Sequence, residues 1–490
     1  MPEAAVHPLA QPAARTQSAA ASAAFDWRAS KSADPRADAF SLDAPAPLPQ
    51  AVAELTGDAC SEEVEYLLDR TRRADAVAEI HAPFCESKCD GCGCWQHDYK
   101  ALESRRWSDA LVREMSVWSE THAQSGAPIQ ALRFGGGTPS ALEPMDILHV
   151  LAKARECLPL ANDCTVELQA RVHGFTQERI EAALAGGVTR FFFPVRSFST
   201  EIRRACGRLD EGGDAEKLLA RVAYFNEAAC AAELNFGLPG QSLAAWVKDL
   251  ERASQLPLDS LVIRAAGDPE VLGEPAKTLR TADVGLMARM HEASFEVLAD
   301  NGWERRTATT WTRTERDRSA FEVLAAGDAD RFAFGCGAKA RLFGSEITIE
   351  PELDRWLSAL WRGRRPVASV TLPKRGWRAA ALLEQGALLG RFSLEIVERK
   401  SGVRIAEALE PLLSNWEGAG LLRRRGAWVR LTDAGLYWHQ AMAARMALRI
   451  DASDLLELPH PLLSSVHFEA AAPIVPVDVW TAAERTAAMS

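Results

Sequence analysis

The chain has 490 residues, 47% hydrophobic and 25% charged, an ordinary balance for a globular protein with a sizeable core and length for two or three domains. Lys and Arg total 56 against 67 Asp and Glu, a net charge of −11, which gives no general attraction to nucleic acid or to an anionic membrane. No apolar run approaches the roughly 18 residues of a membrane span, and the N-terminus lacks the basic-then-apolar order of a secretory signal, so the expected compartment is the cytoplasm.

Residues 1–50 are rich in Ala, Pro and Ser and carry little periodicity; they read as a disordered segment with local docking around Phe25 and Trp27. A short helical lead-in is expected over 51–76. From residue 77 a repeated grammar sets in: short apolar runs at 77–83, 129–134, 165–169, 189–195, 231–236 and 258–264, separated by helical patterns. In the first of those patterns Trp107, Leu111, Met115 and Trp118 share one helical face. Strands alternating with helices mean βα units and a parallel sheet, so 77–350 is expected to form an α/β barrel of six units, complete or partial. Chemistry in such barrels gathers at the C-terminal ends of the strands.

Beyond residue 350 the pattern turns helical, with helices expected over 379–389, 405–417 and 433–447 and a hairpin over 420–431 turning at Arg425-Gly426. That order predicts a small winged-helix-like domain over 351–450, placed as a lid on the barrel, and a patternless tail over 451–490. Arg423, Arg424 and Arg425 at the hairpin read as a solvated turn rather than a nucleic-acid contact.

Of 10 cysteines, six are scattered and four crowd together as Cys85, Cys89, Cys92 and Cys94, directly after the first strand. Three thiolates spaced CxxxCxxC on one loop suit three irons of a cubane and leave the fourth iron open to a small molecule. Structural zinc normally takes paired ligand sets farther apart, and no second pair is present. Cys94, one residue past Cys92, is expected to point elsewhere. The next strand ends in Gly135-Gly136-Gly137-Thr138-Pro139, a turn that lets a ligand approach exposed backbone groups.

The CxxxCxxC loop, the GGGTP turn and the later Gly237-Leu238-Pro239 resemble a radical S-adenosylmethionine enzyme, specifically the oxygen-independent coproporphyrinogen III oxidase (HemN-like) family. That family also takes in heme chaperones, anaerobic heme-degrading methyltransferases and methyltransferases of natural-product pathways. The likeness runs from about residue 77 to 447. The CGC motif is similar to the oxidase, whereas 174–198, Ile202-Arg203-Arg204 and Arg208-Leu209-Asp210 are similar to the heme-degrading branch.

The resemblance implies a partial (βα)6 radical S-adenosylmethionine barrel carrying a 4Fe–4S cluster on Cys85, Cys89 and Cys92. It implies S-adenosylmethionine chelated to the open iron and cleaved, after one-electron reduction, to methionine and a 5′-deoxyadenosyl radical. Gly136, Gly137, Thr138 and Glu167 match the cofactor site. Arg208 matches a basic residue of a second S-adenosylmethionine site. Four positions depart from the oxidase: Glu79 for a Tyr, Gly91 for an aromatic between the second and third cysteines, Arg196 for a Gln and Glu233 for an Asp. These leave the second site remodelled or lost, with Arg196 suited to hold a carboxylate of methionine or of a substrate propionate, or to pair with Glu233.

The implied partners are a tetrapyrrole or other planar aromatic and a flavodoxin- or ferredoxin-like electron donor, with no nucleic acid and no membrane. The implied activities are those of an oxidoreductase or methyltransferase of porphyrin metabolism: oxidative decarboxylation, or methylation and opening of heme. A radical methyltransferase on a non-porphyrin aromatic and a heme-trafficking chaperone stand as alternatives. No side chain is assigned as a catalytic acid, base or nucleophile. Gly335-Cys336-Gly337 resembles the family's closing segment, with Cys336 read as packing, and His81 reads as structural or as a neighbour of the cluster.

Overall fold

The computed structural model describes residues 28–40, 51–72, 74–87, 97–266, 282–451, 453 and 455–456. Cys89, Gly91, Cys92, Cys94, Trp95, Phe25, Trp27 and most of the tail lie outside them. Eighteen strands follow in chain order: β1 Ala51–Leu55, β2 Ala76–Ala82, β3 Phe84–Cys85, β4 His97–Asp98, β5 Ile129–Gly136, β6 Leu160–Gln169, β7 Arg190–Arg196, β8 Ala229–Phe236, β9 Ser260–Ala265, β10 Glu304–Arg305, β11 Thr310–Thr312, β12 Asp330–Phe334, β13 Lys339–Leu342, β14 Ser345–Ile349, β15 Val367–Pro373, β16 Arg391–Ser393, β17 Leu422–Arg425 and β18 Trp428–Leu431.

Thirteen of them form one sheet, ordered β1-β15-β14-β13-β12-β2-β5-β6-β7-β8-β9-β11-β10. The six apolar runs are β2 and β5 to β9, all parallel and adjacent in chain order. Helices Ala101–Ser119, Pro144–Cys157, Gln177–Ala185, Gly212–Phe225, Leu243–Gln255 and Val284–Asp300 follow them in turn. β12 adds a seventh parallel strand beside β2. Among the described residues no strand joins the β9 side to the β12 side, so the barrel is open, as the partial-barrel expectation requires.

Side-chain alternation along these strands divides the two faces. Ala78, Ile80, Leu132, Phe134, Val166, Leu168, Phe191, Phe193, Ala232, Leu234 and Phe236 enter the main core with the helices. Trp107, Leu111, Met115 and Trp118 meet them, all but fully buried, so the predicted helical face is the packed one. The opposite residues face the lumen, and several are charged.

Two boundaries differ from the expectations. The stretch taken as a helical lead-in begins with β1, which pairs with β15 antiparallel; a partner more than 300 residues away leaves no local signal. The main unit also continues past residue 350, because helix Leu353–Trp361 and β15 extend the same core and sheet. The smaller unit therefore starts near helix Trp377–Leu388. It has a three-stranded sheet, β16-β18-β17, with helices Leu394–Ser401 and Ala406–Gly418 between β16 and the hairpin. The hairpin pairs Arg425 with Trp428, so its turn is Gly426-Ala427, one residue later than expected. The helix expected over 433–447 is two, Asp433–Tyr437 and His439–Asp451. Arg424 is tied to Glu410 and Glu417, both at 2.8 Å, which occupies its charge within the hairpin.

Residues 28–40, part of the stretch expected to lack structure, pack onto this unit. Phe40 is buried edge-on between Trp416 and Trp438, with Arg445 over its ring at 4.1 Å. The Trp438 indole N–H donates to the Pro35 carbonyl at 3.1 Å, and Arg36 reaches Glu292 on helix Val284–Asp300 at 2.9 Å.

Candidate functional site

The first βα connection begins at the C-terminal end of β2. β3 and β4 run parallel, and two backbone bonds, His97 N–H to Pro83 O at 3.0 Å and Tyr99 N–H to Cys85 O at 2.9 Å, tie the chain where it leaves and re-enters. The motif cysteines therefore belong to a connection closed at its base. Cys85 is buried, and its Sγ accepts from the Thr138 hydroxyl at 3.2 Å.

Thr138 reaches Cys85 because the glycine turn leans on the strand that carries it. Gly137 N–H donates to Ala82 O at 2.6 Å and Thr138 N–H to Phe84 O at 2.7 Å. Gly136 stands at φ +95°, and a Cβ there would come within 2.7 Å of the His81 ring; one on Gly137 would come within 2.6 Å of Phe84 O. From the sequence these glycines let a ligand approach the backbone. Their nearest neighbours are protein backbone and ring, so they first of all seat the cysteine strand. Arg171 completes the frame, its Nη1 donating to Ser87 O at 3.0 Å and its backbone N–H donating to Ser140 Oγ at 3.0 Å.

His81 Nε2 has no hydrogen-bond partner among the described residues. Burial lowers its pKa despite the opposing charge of Glu79, so the ring is held neutral. On the other side Gly335, at φ +105°, closes against His81 O, and its N–H donates to buried Glu114 at 2.7 Å. Burial pushes the Glu114 carboxyl up to about 8. Cys336 donates to Pro351 O at 3.0 Å, and burial pushes its thiol up to about 12. That is a packing thiol, as expected.

Glu167 lies in the lumen two residues before β6 ends rather than at its tip. It is buried and bound on both oxygens: Arg133 Nε at 2.6 Å, and Arg190 through Nη1. Arg190 is gripped in turn by Asp317, at 3.0 and 2.9 Å. Farther round, Glu233 faces Arg264 Nε at 3.3 Å, and Arg264 Nη2 meets Glu322 at 2.6 Å. Burial raises the Glu233 pKa against the pull of Arg264 and Arg196. For Asp317 and Glu322 burial is outweighed by their guanidinium neighbours, and both are lowered.

Arg196 ends β7 at φ +72°, where the register with β8 shifts. A left-handed non-glycine residue costs of order 1–3 kcal/mol and persists where its surroundings hold it. Those surroundings are dense. Buried Arg203 donates to Val195 O at 2.5 Å and Ser197 O at 3.1 Å, and pairs with Asp210. Asp249 accepts from Ser197 Oγ at 2.6 Å and Phe198 N–H at 2.9 Å. Arg208 is buried and donates to Pro194 O at 3.1 Å, so it is not a solvated helix-end residue. Arg196 Nη1 donates to Asn235 Oδ1 at 3.4 Å, and its charge, like that of Arg264, acts on Glu233.

The strand ends thus gather Cys85, Gly136, Gly137 and Thr138 on one side and Arg196, Arg208 and Glu233 on the other, with Glu167 one layer below. Arg133, Arg190, Arg264, Asp317 and Glu322 escaped the sequence reading. Arg133 and Arg190 interrupt or open apolar runs, which is a usable signal. Asp317 and Glu322 sit in a charged stretch that reads as a solvated loop.

Among the described residues no group of three His, Cys, Asp or Glu side chains is placed to hold a metal; two of the three motif cysteines lie outside them. What is described fits an iron–sulfur cluster: a buried cysteine at a strand end, a hydroxyl donating to its sulfur, and a connection closed at its base. No described helix is long and apolar enough to cross a membrane.

Residues 80–253 match the model of the Radical SAM superfamily. The chain is 32% identical over 364 residues to anaerobilin synthase from Escherichia coli O157:H7, covering 73% of this chain and 81% of that protein. It is 28% identical over 179 residues to heme chaperone HemW from Synechocystis, covering 36% of this chain and 43% of that one. In fold it is similar to coproporphyrinogen III oxidase (HemN) from Escherichia coli, with a TM-score of 0.67 and 17% identity, over 79% of this chain and 93% of the other. Members of this superfamily work with a 4Fe–4S cluster and S-adenosylmethionine, and the cysteine motif, the open parallel barrel and the similarity across most of the chain's length agree. The chain belongs to the radical S-adenosylmethionine superfamily and, within it, to the HemN-like family.

Proposed function

We propose that this protein is a cytoplasmic radical enzyme that opens the ring of a heme-type tetrapyrrole under anaerobic conditions. The observation that carries the reading is the 32% identity to anaerobilin synthase over 73% of this chain. When bound, the cluster and S-adenosylmethionine supply a carbon-centred radical able to take hydrogen from an unactivated position.

This chain's residues would hold and shield that chemistry. Cys85, Cys89 and Cys92 are the proposed cluster ligands. Thr138 donates to the Cys85 sulfur, and Gly136 and Gly137 keep the ligand strand in place. Glu167, bound on each oxygen by one guanidinium, and Glu233, facing Arg264 on one oxygen, keep spare lone pairs as acceptors for the hydroxyls and ammonium of S-adenosylmethionine. Arg196 and Arg208 present cations at the β7 end, suited to a substrate or cofactor carboxylate. The smaller unit bounds the same end of the barrel, since Tyr437 meets Phe236 at the tip of β8 with ring centres 6.4 Å apart. A flavodoxin- or ferredoxin-like protein is the proposed source of the electron.

The test is an anaerobic incubation of the cluster-loaded protein with reductant, S-adenosylmethionine and either heme or coproporphyrinogen III, read by product mass. Gain of a methyl group with loss of the intact macrocycle supports the proposal. Loss of carboxyl groups from coproporphyrinogen III would make it an oxidase. Heme bound and recovered unchanged would make it a carrier.

A further inference from the structure

We propose that Asp317 and Glu322 are positioning residues for S-adenosylmethionine: from the barrel floor they share out the guanidiniums of Arg133, Arg190 and Arg264, and so set how much of Glu167 and Glu233 remains open to the cofactor. This rests on the reading of Glu167 and Glu233 as cofactor-binding acids.

Both positioning acids come from the segment between β11 and β12, outside the six βα units. The segment enters the lumen from below. Phe321, at the start of helix Phe321–Ala326, packs against Val77 of β2 and Ala131 of β5, and the Arg133 guanidinium lies 3.9 Å over its ring. The next residue, Glu322, meets Arg264 of β9 at 2.6 Å and Arg133 of β5 at 3.6 Å. One carboxylate thus bridges two strands that stand four positions apart in the sheet. Asp317 takes Arg190 Nε on both oxygens, accepts from the Ser260 hydroxyl, and is fixed by Ser319 N–H at 3.0 Å.

Charge counting shows why this matters for the site. Arg133, Arg190 and Arg264 are three buried or nearly buried cations. With Asp317 and Glu322 present, they face four carboxylates, and each guanidinium is shared between a floor acid and a site acid. Without the floor acids, three guanidiniums face Glu167 and Glu233 alone. Guanidiniums favour two-point pairing with a carboxylate, and charge attraction is strong where water is excluded. Glu167 and Glu233 would then be drawn into full pairs toward the floor. Their lone pairs would no longer be available to a ligand arriving from the strand ends. Behind metal ligands, removing such partners typically costs roughly ten- to a hundredfold in metal affinity or activity, and a loss at the lower end of that range is expected for these acids.

The experiment uses the full chain with its cluster reconstituted. Asp317→Asn and Glu322→Gln are compared with wild type by iron and sulfide content, by equilibrium dialysis of S-adenosylmethionine, and by melting temperature. The expected result is unchanged iron content with S-adenosylmethionine bound roughly tenfold more weakly. Glu322→Asp, which keeps the charge, should restore most of the affinity. Ser260→Ala removes only the hydroxyl shared by Asp317 and Arg190, so it serves if an acid variant does not fold; about a threefold loss is expected. A lower melting temperature with wild-type affinity in the variants that fold would overturn the inference and make these acids purely structural. Glu167→Gln and Glu233→Gln, run alongside, separate the two levels. If they also bind as wild type, the underlying site assignment fails; if they bind weakly while the floor variants do not, only the positioning role fails.

Discussion

Thr138 places a hydroxyl donor 3.2 Å from the Cys85 sulfur, and a donor to a cluster sulfur favours the reduced, more negative state. Thr138→Val keeps the shape and removes the donor. Iron content should stay at the wild-type level while the reduction potential moves to a more negative value in an anaerobic redox titration; an unmoved potential would place the hydroxyl outside the cluster's influence. Arg196 combines a left-handed backbone with a side chain at the strand end. Arg196→Gly relieves the backbone strain but deletes the cation, so its two effects should separate. Unfolding stability should change by less than about 1 kcal/mol, while affinity for S-adenosylmethionine or for the tetrapyrrole falls roughly tenfold or more, as loss of a charge-assisted bond of about 1.5–3 kcal/mol requires. Wild-type affinity for both ligands would remove Arg196 from the site.

Between elements, Glu114 joins helix Ala101–Ser119 to the turn after β12. Burial holds its carboxyl at about 8 in the folded protein, well above the ordinary glutamate range, so folding favours the protonated form. Its contribution is fully present below the ordinary carboxylate pKa and is lost as pH rises toward and through about 8. Wild-type melting temperature should therefore fall between about pH 5 and pH 8 relative to Glu114→Gln, which is neutral throughout, and the two curves should draw together at acid pH. Parallel curves would show that Glu114 does not titrate in this range.

The elements also show what the sequence could reveal. The six barrel strands were legible because each is an apolar run followed by an amphipathic helix, and the cysteine loop because its spacing is compact. The lumen network was not legible: Glu167, Arg190 and Asp317 meet only once β6, β7 and the segment between β11 and β12 are stacked. Asp317, in the stretch Glu315-Arg316-Asp317-Arg318, looks like any solvated loop acid. β1 was hidden for a similar reason, since its partner strand lies at the far end of the main unit.

Across the whole molecule, the N-terminal strap of residues 28–40 holds the smaller unit to the barrel. It seats Phe40 between Trp416 and Trp438 and reaches Glu292 through Arg36. Phe40→Ala should destabilise that junction by about 3–5 kcal/mol, the usual cost of deleting a buried aromatic ring, with thermal unfolding at a visibly lower temperature and iron content retained in the folded protein. An unchanged melting curve would mean that the strap is not part of the stable structure. The proposed activity is cleavage of S-adenosylmethionine at a cluster held by Cys85, Cys89 and Cys92, with the radical directed to a tetrapyrrole. It is tested most directly by quantifying 5′-deoxyadenosine from reduced wild-type and Cys85→Ala protein, with and without heme, in the absence of oxygen. The expected result is 5′-deoxyadenosine from the wild type, more of it when heme is present, and none above background from the variant; equal amounts from both proteins, or none from either, would rule this assignment out.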